Sequence, residues 1–78
     1  MKSDAQLRME IFAALFAEPR VNAGRIGVDV RDGIVTLSGW ASSYVEKWEA
    51  ERAAQRVAGV KDVDIEMEVT PLWFEQAT

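Results

Sequence analysis

The stretch Val30-Arg31-Asp32-Gly33-Ile34-Val35-Thr36-Leu37-Ser38-Gly39 decides the fold. Asp-Gly between two alternating apolar runs is the strongest short-range signal for a tight two-residue hairpin. With Asp32 and Gly33 as the loop, Val30 falls opposite Val35, Val28 opposite Leu37, and Ile26 opposite Gly39. These residues share one face, so the register agrees with the hydrophobic pattern. The strands are predicted over about Arg25–Arg31 and Ile34–Trp40. Asp29, Thr36, Gly27 and Ser38 make the more polar side. Gly27 and Gly39 sit inside strands, where glycine points to a bulge or a close backbone approach.

Working outward, Ser3 and Gln6 have capping-box spacing, so a helix is predicted from near Asp4. Asp4 also suits the positive end of a helix dipole. The helix should stop before Pro19, because the residue preceding proline is pushed out of the helical region. Leu7, Ile11, Ala14 and Leu15 form its core stripe. Met9, Phe12 and Phe16 form a second stripe. Residues 19–25 read as a connection in which Val21 plugs the edge of the core.

On the other side, Ser43 and Glu46 have the spacing of a second capping box. A helix is predicted over Tyr44–Ala58, with Gly59 as its left-handed cap. Ala50, Ala53, Ala54 and Val57 make a narrow stripe that lets this helix lie close to a sheet. Tyr44 and Trp48 lie on nearly the opposite side. Val60 then leads into a third strand, where Val63, Ile65, Met67 and Val69 alternate with Asp62, Asp64, Glu66 and Glu68. Pro71 ends it. The pattern predicts an α+β fold: an αββαβ two-layer sandwich with two helices on one face of a three-stranded sheet. The third strand's neighbour is left open between the first and second. Residues 1–70 are expected to form one domain, and 71–78 a tail or linker.

Composition limits the chemistry. The 78 residues include no cysteine and no histidine, which excludes disulfides, Cys/His zinc sites and histidine acid–base catalysis. A net charge of −4 argues against nucleic acid as a partner. No apolar run approaches the roughly 18 residues of a membrane-spanning helix. The first residues do not have the order of a secretory signal. If Met1 is the native start, a cytoplasmic location is expected; if the domain was excised from a longer protein, a periplasmic or envelope one.

No catalytic or metal-binding residues are expected. Asp62, Asp64, Glu66 and Glu68 share one strand face at about 6.5–7 Å spacing, which reads as a solvated face that deters edge aggregation. Calcium would need six to eight oxygens converging from a loop. The serines have no histidine to activate them. The aromatics stand out more. Trp40, Tyr44 and Trp48, with Lys47, are the candidate lipid or partner contacts. Met9, Phe12, Phe16, Trp73 and Phe74 are the alternative interaction face. Together they exceed what one small domain can bury, and such patches mark interaction sites.

The chain closely resembles a BON domain, the module named for bacterial osmotically inducible and nodulation proteins. The likeness spans about Asp4–Val69. It rests on Asp4, Leu7, Ile11 and Leu15, on Ile26-Gly27-Val28-Asp29-Val30, on Asp32 through Gly39, and on Ala50, Ala53, Val57, Gly59-Val60 and Val63. The resemblance implies the αββαβ fold with a mixed sheet. It also implies a non-catalytic module without a cofactor, associated with phospholipid binding, the cell envelope and osmotic stress. Protein–protein contacts, self-association or packing against neighbouring BON domains are the alternative it carries.

Overall fold

The computed structural model describes residues 2–70. Its elements are α1 (Asp4–Phe16), a short 3-10 turn (Ala23–Arg25), β1 (Ile26–Arg31), β2 (Ile34–Ala41), α2 (Tyr44–Gln55) and β3 (Asp62–Val69). Asp32 (φ 53°) and Gly33 (φ 81°) both take positive φ. That is the mirror-image turn whose twist matches paired strands, and aspartate is among the few non-glycine residues that tolerate it. The antiparallel register follows: Ile26 pairs with Gly39, Val28 with Leu37 and Val30 with Val35.

The strand order is β1-β2-β3, with β3 parallel to β2, so the sheet is mixed. β1 already occupies one side of β2, and α2 supplies the crossover that a parallel neighbour needs. Two contacts lock the ends: the Lys61 N–H donates to the Gly33 carbonyl at 2.8 Å, and the Thr70 N–H to the Ala41 carbonyl at 2.8 Å. Rows of paired residues then cross the sheet. Val30, Val35 and Val63 make one, Val28, Leu37 and Ile65 the next, and Ile26, Gly39 and Met67 the third.

Both helices cover the face that carries these rows. α1 lies over β1, α2 over β3 and β2, and the helices touch each other. Leu7, Ile11 and Leu15 of α1 and Ala50, Ala53 and Ala54 of α2 are buried against Val35, Leu37, Val63 and Met67. Ala14 stays at the margin, half-buried. Val21 and Ala23 close one end of this core. The opposite face of the sheet has no element over it among the described residues.

Gly39 (φ 109°) is the close approach expected from its place in a strand. A Cβ there would run into the Arg25 carbonyl oxygen. Asp4 does more than face a dipole. Its carboxylate accepts the N–H groups of Asp32 at 3.0 Å and Gly33 at 3.4 Å, tying the start of α1 to the hairpin turn.

Two expectations at α2 need correction. The helix ends at Gln55 with Arg56 as its cap, short of Ala58. The Val57 N–H bonds back three residues to the Ala54 carbonyl, a tighter turn that carries Val57 onto the core. Gly59 (φ 100°) is therefore a turn residue against Leu7 and not the helix cap. The second capping box is half-formed. Ser43 Oγ accepts the Glu46 N–H at 3.1 Å, but the Glu46 carboxylate reaches past the capping residue to the Ser42 N–H at 2.7 Å. The third strand starts at Asp62, with Val60 in the preceding turn.

Candidate functional site

With Ala50, Ala53 and Ala54 turned to the sheet, helical geometry sends Tyr44 and Trp48 outward. Tyr44 is 76% exposed and Trp48 54%. One turn further on, the Arg52 guanidinium sits over the Trp48 ring, 4.9 Å from its centroid. Tyr44, Trp48 and Arg52 thus form a ridge along the outer side of α2, with half-buried Lys47 beside it. Arg52 was not singled out from the sequence, although its spacing of four from Trp48 carried the signal.

Trp40 does not join this ridge. It belongs to the set Ile34, Thr36, Ser38 and Trp40, which points away from the helices, and it is 54% exposed on the open side of the sheet. Across that side it pairs in register with Glu68, while Ser38 pairs with Glu66 and Thr36 with Asp64.

The α1 stripe divides. Met9 and Phe16 are exposed, whereas Phe12 packs partly against the core. The Phe12 and Phe16 rings stack with centroids 5.5 Å apart. Arg8, Met9, Phe12 and Val28 line a shallow, largely apolar hollow. Trp73 and Phe74 lie outside the described residues.

Among the described residues Glu46 is the one buried charged residue, at 5% exposure. Burial raises its pKa, but the other influences together prevail and hold it below its ordinary 4.5. These are the N–H groups of Asn22 (2.8 Å) and Ser42, the Ser42 hydroxyl (2.8 Å) and the charge of Arg25. The carboxylate is thereby a clasp between the connection before β1 and the start of α2. Among the described residues no group of carboxylates converges to hold a metal ion. No described helix is long and apolar enough to cross a membrane.

The family model for the BON domain matches residues 3–71. This chain belongs to the BON domain family. No curated protein matches it closely enough to count as a relative. The residues that carried the resemblance have structural parts in this BON domain: Asp32 and Gly33 make the turn, Val35 and Leu37 the core, and Gly39 the crossing beneath Arg25. Membership fits a non-catalytic binding module.

Proposed function

We propose that this BON domain is a non-catalytic binding module that lays the outer ridge of α2 against phospholipid headgroups, in an envelope or osmotic-stress setting. The observation that carries this reading is the ridge itself. Tyr44 and Trp48 are exposed where a core role would bury them, and a guanidinium lies on the Trp48 ring. Tryptophan and tyrosine rings settle at the headgroup level, with an apolar body and a polar tip. Arg52 brings planar donors to headgroup phosphate, and Lys47 can lay its stem along the aromatics. The net charge of −4 opposes this less than it first suggests. Five of the thirteen acidic residues lie on the open face of the sheet, on the far side from α2.

Co-sedimentation with phosphatidylcholine vesicles, with and without phosphatidylglycerol, tests it. The wild type is expected in the pellet, more with anionic lipid, and Trp48→Ala or Arg52→Gln should weaken binding roughly tenfold. A wild-type domain left in the supernatant with both vesicle types refutes the lipid reading.

A second reading rests on the exposed Met9 and Phe16 beside the stacked Phe12: contact with a second copy or a neighbouring BON domain through α1. Sedimentation velocity separates it from the first. Met9→Ser/Phe16→Ser should then dissociate a wild-type dimer, and these positions spare Phe12, which the core uses. A wild type that stays monomeric at high concentration removes self-association.

A further inference from the structure

We propose that the open face of the sheet is a docking surface for an extended, lysine- or arginine-rich segment of another protein. This does not rest on the lipid reading, which concerns the opposite side of the domain.

The first observation is where the charge lies. The open face carries Asp29, Asp62, Asp64, Glu66 and Glu68 against one cation, Arg31. Five acids and one base make the face −4, the net charge of the whole chain. Removing these six from nine basic and thirteen acidic residues leaves eight of each for everything else. The rest of the sequence thus carries no net charge, counting Glu75, which lies outside the described residues, and the acidic excess gathers on one wall. Among the described residues the ion pairs are Lys2–Glu10 and Arg56–Glu18, neither on this wall, so its carboxylates form no ion pair there and Arg31 is their one nearby cation on the face.

The second observation is apolar. Trp40 and Ile34 stand exposed on the same face. A face whose only task was to stay solvated and deter edge pairing would have no use for an exposed tryptophan. Tryptophan in a ring of charge is how protein interfaces combine a buried anchor with a steering field.

The occupant follows from complementarity. An anionic bilayer or nucleic acid is repelled by this wall. A second copy of the chain is a poorer match, because its cations Lys47 and Arg52 sit on α2 among Glu49 and Glu51 and not as a run at strand spacing. A basic polypeptide matches in sign and in spacing. Asp62, Asp64, Glu66 and Glu68 recur every second residue along β3, about 6.5–7 Å apart. Alternate side chains of an extended peptide have the same repeat. Asp29, Arg31, Asp32, Ile34, Thr36 and Glu66 line a shallow hollow in which three carboxylates outnumber one guanidinium, and a long aliphatic stem can lie there.

The test uses the full chain, isotope-labelled for NMR, and two synthetic peptides as long as β3. One alternates lysine with serine; the other alternates glutamate with serine. The lysine peptide should shift the amides of β2 and β3 and the Trp40 indole N–H, leaving α2 unmoved. Affinity should drop at least tenfold from about 50 to 500 mM salt. Asp64→Asn/Glu66→Gln should weaken binding about tenfold, and Trp40→Ala should weaken it with the salt dependence retained. Among the described residues none of these side chains forms an internal ion pair, and a thermal melt of each variant checks that it folds. No shift at millimolar peptide in low salt overturns the proposal. So do equal binding of the glutamate peptide, shifts confined to the helices, or wild-type affinity in the double variant.

Discussion

Glu46 shows what a single residue contributes and how little of that its neighbours in sequence reveal. The Ser43–Glu46 spacing announced a helix start, and the start is there. It did not announce that the carboxylate would be buried, because one partner, the Asn22 N–H, comes from 24 residues upstream. The same holds for Asp4, legible as a helix-start acid but not as the acceptor for the turn amides 28 residues on. With its pKa lowered on folding, Glu46 adds stability that is complete well above 4.5 and fades as pH falls through the lower folded value. Glu46→Gln removes the charge and turns an amide group toward donors that need an acceptor. At neutral pH it should cost about 1–3 kcal/mol. The gap from wild type should narrow below pH 4.5 as the wild type loses its own contribution. Urea melts across that range would show it; a gap that stays constant with pH refutes the clasp.

Between elements, legibility depended on whether the determinant was local. The β1–β2 register was readable because a two-residue loop and a side-chain period of two leave one solution. The neighbour of β3 was not readable from alternation, since either strand could present a matching apolar row. It was fixed by β1 already filling one side of β2 and by the α2 crossover. The end of α2 was overextended because Gly59 resembles a helix cap, whereas the core draws Val57 inward and closes the helix earlier. The alanine stripe was readable, and it sets how near α2 lies to β2 and β3. Ala50 and Ala54 are fully buried, so a larger side chain can enter only by lifting the helix. Ala54→Leu should lower stability by about 1–3 kcal/mol despite its added apolar area. The expected sign is a lower urea midpoint with an unchanged slope. A midpoint at or above wild type would mean that α2 is not held by close approach.

For the whole molecule, the sum of charges is legible from the residues alone, and the fold distributes it. Four carboxylates on β3 were legible as one strand face, and the fold adds Asp29 of β1 to the same side through the rows of β2. The exposed aromatics were legible as a surplus over what the core could hold. Their division was not, because Trp40 and Tyr44 are near in sequence yet the sheet separates the directions they face. One consequence belongs to the domain as a unit. Like charges held at strand spacing repel in the folded state and move apart when the chain unfolds, so the wall works against folding. The screening length is about 10 Å at 0.1 M salt, close to the distance across two strands, so moderate salt should relieve most of that repulsion. The wild-type melting temperature should therefore rise between low and moderate salt and then level off. Asp64→Asn should melt higher than wild type at low salt, and that advantage should disappear at high salt. If Asp64→Asn instead melts lower at every salt concentration, the carboxylate is held by favourable contacts and the acidic wall is part of the fold's support, not a surface kept free for a partner.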